Sequence, residues 1–345
     1  MSLVNKKIKL GIVSTTIRGD SGYRDWDLAV SKFNKFDAKF YVAGDLNSIE
    51  FNPNGFICDL KYLGPKEQEK YQCSESIGWK RWARRNIALL EALKDNPDYV
   101  LIIDDDNRPL DDYFEKWYQL VTQKSEFKLD IDSLWFNYLD SGDSNSLFYP
   151  RGYPIPERGR NTPVTLTPNQ TNPEEIYVFQ GISLGDPDID AFARIADTTP
   201  TPLKNVEIYN YAVQGKWSPY NTQNTLFKRE IAPLAFTWPK AGRYEDIYSS
   251  FVWQHFAFNN SKYVHVGDSI NWQERGQRDN FRDFSLEHEG YIRVGEVWSA
   301  ILETDPTSIE TMLRSLSNSK CDVINREKVF FESFMADLIE NGIKF

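Results

Sequence analysis

Cysteine is scarce in this chain: Cys58, Cys73 and Cys321 are the only three among 345 residues, far apart and in no Cys-x-x-Cys pair. That argues against a disulfide framework and against a thiolate zinc site, and it fits a reducing, cytoplasmic compartment. Long hydrophobic runs are missing too. After Lys6, Lys7 and Lys9 the apolar segment Leu10 to Ile17 stops at Arg18, short of the ~18 residues a bilayer span needs, so it reads as a first strand. Positive charge is in deficit: 40 Lys and Arg face 50 Asp and Glu, a formal net charge of -10. A binder of phosphate backbones carries the opposite sign, so nucleic acid is not an expected partner. Internal repeats and low-complexity tracts are absent.

Aromatic residues are plentiful. Ten Trp, 18 Tyr and 22 Phe supply a large core. Ile8 to Ser14 and Lys39 to Ala43 are short apolar runs ending in polar or glycine-containing turns, the pattern of βα units and a mostly parallel sheet. From Trp79 to Leu93 apolar positions recur every three or four residues, which predicts an amphipathic helix with a basic N-terminal half containing Arg81, Arg84 and Arg85. Asp95, Asn96 and Pro97 end it, and Tyr99 to Ile103 follows as a buried central strand. Tyr149 to Pro173 holds six prolines and predicts a long ordered loop. A second mixed region runs from Glu175 to about Val266, and Thr307 to Lys344 has helical spacing. Residues 1–270 are therefore expected to form the main domain and 271–345 a mostly helical extension.

The strand at Tyr99 runs into Asp104, Asp105, Asp106 and Asn107. Three adjacent carboxylates repel one another unless a cation offsets them, and in extended chain Asp104 and Asp106 face the same way. Two such groups suit Mg²⁺ or Mn²⁺, which complete their shells with water and diphosphate oxygens. A solvated acidic turn capping a helix near Pro109 to Trp117 would explain the same residues.

The stretch Arg84, Arg85, Asn86, then Tyr99 to Asp106, resembles the Ala-Arg-Asn helix, strand and DxD motif of inverting GT-A glycosyltransferases. Ser14, Thr15, Thr16, Ile17 and Arg18 resemble the Thr-Ile-Arg turn of UDP-arabinopyranose mutases, the reversibly glycosylated polypeptides. Four blocks between Trp135 and Phe256 resemble the STELLO-like relatives of those mutases: Pro150-Arg151-Gly152-Tyr153-Pro154; Gln180-Gly181 with Gly185-Asp186-Pro187-Asp188-Ile189-Asp190-Ala191; Ser218 to Leu226; and Arg243-Tyr244-Glu245-Asp246-Ile247.

The resemblance implies a GT-A (nucleotide-diphospho-sugar transferase) α/β fold, with a mostly parallel central sheet flanked by helices and a C-terminal helical appendage. It implies a donor that is a nucleoside diphosphate sugar, expected to be UDP-linked. Asp104 and Asp106 would hold Mn²⁺ or Mg²⁺. Thr15, Thr16, Arg18 and Asp105 would meet the nucleoside, and Arg84 and Arg85 the diphosphate, unless those arginines form a solvated basic face.

Asp246 would be the general base, or else an ion-pair partner of Arg243. Asp188 would bind sugar hydroxyls, or with Asp186 and Asp190 cap a helix beginning near Ala191. Arg158 stands near the arginine that becomes glycosylated in the mutases, although its Arg-Glu order is inverted here. It could equally grip a diphosphate or lie exposed. His255 and His265 stand as a late metal ligand or as core residues, and Trp217, Tyr220, Trp238, Tyr244, Trp253 and Trp272 as core or as a sugar-stacking platform. The implied partner is a carbohydrate or glycolipid acceptor, reached at a membrane surface without a transmembrane segment. A pyranose/furanose mutase and a non-catalytic scaffold of a polysaccharide-synthesis complex are the alternatives.

Overall fold

The computed structural model describes residues 7–139, 149–159, 164–186, 188–196, 210–273 and 279–345. Pro187 of the acidic turn and residues 160–163 of the proline-rich segment lie outside the described residues.

The N-terminal third builds the parallel half of one sheet. Strands β1 (Ile8–Thr15), β2 (Phe36–Ala43), β3 (Asp59–Leu63) and β4 (Tyr99–Ile103) lie in the order β3-β2-β1-β4, every neighbouring pair parallel. The continuous apolar run Val100 to Ile103 is fully buried, as expected of a strand covered on both faces. Helices α1 (Arg24–Lys32), α2 (Pro65–Gln68), α3 (Cys73–Ile77) and α4 (Arg85–Lys94) connect these strands.

The rest of the chain widens the same sheet. β5 (Asn107–Pro109), α5 (Tyr113–Thr122) and β6 (Ser125–Leu129) follow the acidic triplet, then β7 (Leu166–Thr171), β8 (Ile176–Gly185), α6 (Ala191–Ala196), β9 (Tyr211–Val213), β10 (Asn224–Lys228), α7 (Glu245–Asn259) and β11 (Tyr263–Gln273). β10 inserts antiparallel between β4 and β8, and β11 pairs parallel with β8. The expected α/β organisation is thus observed, with a large, mostly parallel sheet flanked by helices. β7 is a difference: it makes a paired strand of part of the stretch read from its prolines as loop, because Leu166 to Thr171 finds an antiparallel partner in β6.

A helical region closes the chain: α8 (Asn280–Leu302), α9 (Ile309–Ser317), α10 (Asp322–Asn325) and α11 (Lys328–Glu340). Its apolar residues Val297, Ile301, Phe331 and Phe334 belong to the same core cluster as Trp238, Tyr248 and Ile87 of the sheet region. Among the described residues no helix is long and apolar enough to cross a membrane.

The helix read from Trp79 to Leu93 begins later. Gly78 (φ 70°) and Lys80 (φ 59°) adopt left-handed backbone, Arg81 is extended, and a short 3-10 turn at Trp82–Arg84 leads into α4. Nor is the helix two-faced: Arg85 through Leu93 are all buried, with α4 packed on β1 and β2 and against the 3-10 turn at Ala232–Leu234.

Candidate active site

β2 and β4 flank β1 on opposite sides, so the chain order reverses between β1 and β4, and their C-terminal ends open a crevice. Ser14 Oγ donates to the Ile103 carbonyl at 2.8 Å across this point. Thr16 Oγ1 donates to Asp105 Oδ2 at 2.6 Å and accepts the Arg18 amide at 2.9 Å. The exposed Arg18 side chain stands 4.0 Å from both Asp105 and Asp106. Arg18, Asp105, Asp106 and Arg108 line one cavity of about 290 Å³. Thr15 does not reach it, because its hydroxyl is spent on the Ala43 carbonyl at 2.8 Å.

A second cavity, about 330 Å³, adjoins the first at Asp106. The same sheet edge delivers its walls: Asp104 and Asp106 from the end of β4, Asn221 and Gln223 from the start of antiparallel β10, Asp188 after β8, and Gln273 at the end of β11. Glu245 and Asp246 come from the first turn of α7, where the positive end of the helix dipole favours anions. Asp104, Asp188 and Asp246, far apart in the chain, therefore meet in one place. A larger cavity of about 610 Å³ lies at the opposite ends of β1 and β2, where Asp37, Asp59 and Asp95 are matched by Lys7, Lys9 and Lys39.

Arg85 is buried against this wall, with Nη1 3.2 Å from Asp104 Oδ1 and Nη2 donating to Thr222 Oγ1. Its Nε finds no partner among the described residues. Arg84 departs from the expectation placed on it. Its guanidinium is sealed away from solvent, donates to Gln68, Ser74 and Gly78, and lies 3.7 Å over the Trp79 ring. Burial without a carboxylate partner lowers its pKa to about 10. It braces the turn before α4 and does not face the cavity.

Asp246 is paired, but not with Arg243. Arg151 bridges two carboxylates, through Nη2 to Asp188 Oδ2 at 2.6 Å, Nε to Asp188 Oδ1 at 3.3 Å and Nη1 to Asp246 Oδ1 at 3.3 Å. Thr222 N donates to Asp246 Oδ2 at 3.3 Å. Arg243 instead turns to α8, 2.8 Å from Glu287 and 3.7 Å from Asp283. Arg151 stands in the Pro150-to-Pro154 block, and its bridging role has no sequence signal beyond that motif, because both partners lie far along the chain.

Arg158 is placed outside the cavity. It donates to the Tyr153 carbonyl at 3.2 Å and to the buried carboxylate of Asp190, whose other oxygen accepts the Ala193 amide at 2.8 Å and so caps α6. The helix near Ala191 thus takes Asp190 as its cap, while Asp188 alone of the three acids lines the cavity. His255 Nε2 donates to the Thr304 carbonyl at 3.1 Å in the core, and His265 faces a different cavity beside Lys116 and Gln119. Trp217, Tyr220, Trp238, Tyr244 and Trp253 are buried core residues.

The electrostatics follow from burial. Desolvation, opposed by Arg85 and reinforced by Asp106 and Asp246, raises the Asp104 pKa to about 7. Desolvation and the neighbouring Asp246 raise that of Glu245 to about 8. Desolvation also raises Asp105, against the Thr16 hydrogen bond and Arg18. Burial opposes the charge of Arg151, and Asp188 and Asp246 more than offset it.

Two carboxylates on a cavity that also holds a buried, unpartnered Gln273 Oε1 suit a hard cation that keeps phosphate and water oxygens in its shell. No group of three or more His, Cys, Asp or Glu side chains among the described residues forms a dedicated cage.

No protein-family description matches the chain, and no curated protein matches it. Solved structures of S. aureus TarS overlap it. TarS 1-349 aligns over 97% of this chain and 89% of that one, with 11% identity and a TM-score of 0.34. A complex of TarS 1-349 with UDP-GlcNAc aligns over 97% and 73%, with 12% identity and a TM-score of 0.36. A further TarS structure aligns over 97% and 54%, with 12% identity and a TM-score of 0.34. Overlap this slight assigns no substrate and no residue role to this chain.

Proposed function

We propose that the protein is a glycosyltransferase that moves a sugar from a nucleoside diphosphate donor, UDP-linked in the first instance, to a carbohydrate or glycolipid acceptor. The observation that carries this reading is the meeting of Asp104, Asp106, Asp188, Asp246 and Arg85 around one cavity at the strand ends. The motif resemblance to STELLO-like and mutase sequences points the same way.

In this reading Arg18 and Asp105 meet the nucleoside in the first cavity. Asp104 and Asp106 hold Mg²⁺ or Mn²⁺, which when bound would offset charge on the departing diphosphate. The Arg85 guanidinium, which lines the cavity, adds positive charge for the same anion. Asp188, locked by Arg151, accepts hydrogen bonds from sugar hydroxyls.

Asp246 takes the proton of the acceptor hydroxyl as that oxygen bonds to the anomeric carbon and the bond from that carbon to the diphosphate oxygen breaks, releasing the nucleoside diphosphate. Arg151 and the Thr222 amide keep Asp246 oriented on the cavity. A second reading takes Glu245 as the base: it lines the same cavity beside Asp246, and above its pKa of about 8 it is ionised and able to accept the proton. The containment of Arg158 by Asp190 weighs against the mutase alternative.

Thermal-shift screening of nucleotide sugars with Mn²⁺ tests the donor, with a stabilisation of ~2–4 kcal/mol expected at saturating excess. Calorimetry of UDP with and without Mn²⁺ separates enzyme from scaffold: no binding under either condition sinks the enzyme reading. Asp246→Asn should nearly abolish turnover while donor binding survives; if Glu245→Gln does so and Asp246→Asn does not, Glu245 is the base.

A further inference from the structure

Trp82 is the one exposed tryptophan among the described residues, and no sequence motif marks it as a sugar platform. It is 61% exposed, and it lines the 330 Å³ cavity together with Glu245, Asp246 and Leu286, itself 56% exposed. Single exposed apolar side chains are ordinary on a protein surface, but here two of them, Trp82 and Leu286, share the rim of one polar cavity.

The backbone on either side of Trp82 is held in place. The buried carboxylate of Asp45 accepts the amides of Lys80 and Arg81 at 2.9 and 3.0 Å, which fixes the left-handed turn at Lys80. One residue beyond Trp82 and Ala83, the sealed Arg84 pins the segment from below through Ser74, Gly78 and the Trp79 ring. Among the described residues the indole stacks on no other aromatic, and most of the side chain meets solvent. These bonds tie down the backbone that carries the indole, and a preorganised backbone lowers the entropic cost of binding.

We propose that Trp82 is the stacking platform for the sugar ring of the acceptor, with Leu286 as a second apolar contact on the same cavity. This rests on the transferase reading above. A pyranose ring has one face of C–H groups that covers an indole and an edge of hydroxyls that stays polar, which matches an aromatic at the rim of a carboxylate-lined cavity. The donor sugar is tethered through its diphosphate beside Asp104 and Arg85, so the ring that arrives from solvent at the exposed rim is the acceptor's.

The test is ligand-observed NMR titration of the full chain, the Trp82→Phe variant and the Trp82→Ala variant with cellotetraose, maltotetraose and xylotetraose, alongside calorimetry of UDP with Mn²⁺. The expected result is binding of at least one oligosaccharide, weakened about tenfold or more in Trp82→Ala and much less in Trp82→Phe, with UDP affinity unchanged. Absence of saccharide binding to the wild type, or equal binding by all three proteins, overturns the proposal. So does an equal loss of UDP affinity in Trp82→Ala, which would put the ring on the donor. Loss of an oligomer in Trp82→Ala with saccharide binding unaltered would make Trp82 an interface residue and overturn it too. Failure of UDP to bind the wild type sinks the transferase reading but leaves the saccharide result to decide Trp82.

Discussion

At the scale of single residues, the site holds its acids at a cost to the folded state. Asp104 and Glu245, raised to about 7 and about 8 chiefly by burial, keep protons in the folded protein that the unfolded chain sheds near pH 4. The folded state then binds more protons, so stability of the unliganded protein falls as pH rises from about 4 to about 8. The melting temperature should therefore drop between pH 5 and pH 8. Asp104→Asn should flatten part of that slope and raise the melting temperature at pH 8 by roughly 1–2 °C, what about 1 kcal/mol yields at an unfolding entropy of about 2 cal/mol/K per residue. Glu245 and Glu327, the latter raised to about 7 by burial, would keep some slope. The same substitution should abolish Mn²⁺-dependent UDP binding. A less stable Asp104→Asn protein would mean that the Arg85 pair outweighs the repulsion.

At the scale of elements, close backbone approach decides the shape of the acidic loop. A Cβ on Gly22, in the 3-10 turn after β1, would lie 2.5 Å from the Asp105 carbonyl oxygen. Gly22→Ala should push the Asp105 backbone away, cost about 1–3 kcal/mol in denaturant unfolding, and weaken UDP binding. Unchanged UDP affinity would place the nucleoside elsewhere.

β4 was legible to the residue, because a continuous run of Val, Leu and Ile bounded by Pro97 and the acids has one reading. The start of α4 was not. Gly78 and Lys80 break the periodic pattern through backbone angles that side-chain spacing does not encode, and Arg84 turned inward because Gln68 and Ser74 were waiting for it.

At the scale of the whole molecule, the C-terminal helices are part of the same core. Asp337 on α11 accepts the amides of Gln72 and Cys73 at 2.8 Å each, and Gly290 on α8 sits where a Cβ would lie 2.0 Å from the Tyr244 ring. α8 also brings Leu286 to the cavity and Glu287 to Arg243, so the site is not confined to residues 1–270. A chain ended at Gln273 should be recovered insoluble or without a cooperative thermal transition. A sharp transition in that fragment would show that the sheet region folds alone.

The local pattern of the chain determined the buried strand, the carboxylates at its end and the α/β alternation, since these follow from hydrophobic period and from the repulsion of adjacent charges. Which distant groups face those carboxylates was decided only in three dimensions. The antiparallel insertion of β10, the first turn of α7 and the Arg151 bridge bring Asp188 and Asp246 to Asp104, while Arg84 and Arg158 are drawn elsewhere by partners a linear reading does not place beside them. A buried arginine goes to whichever acceptors relieve its desolvation, and that choice is made by packing.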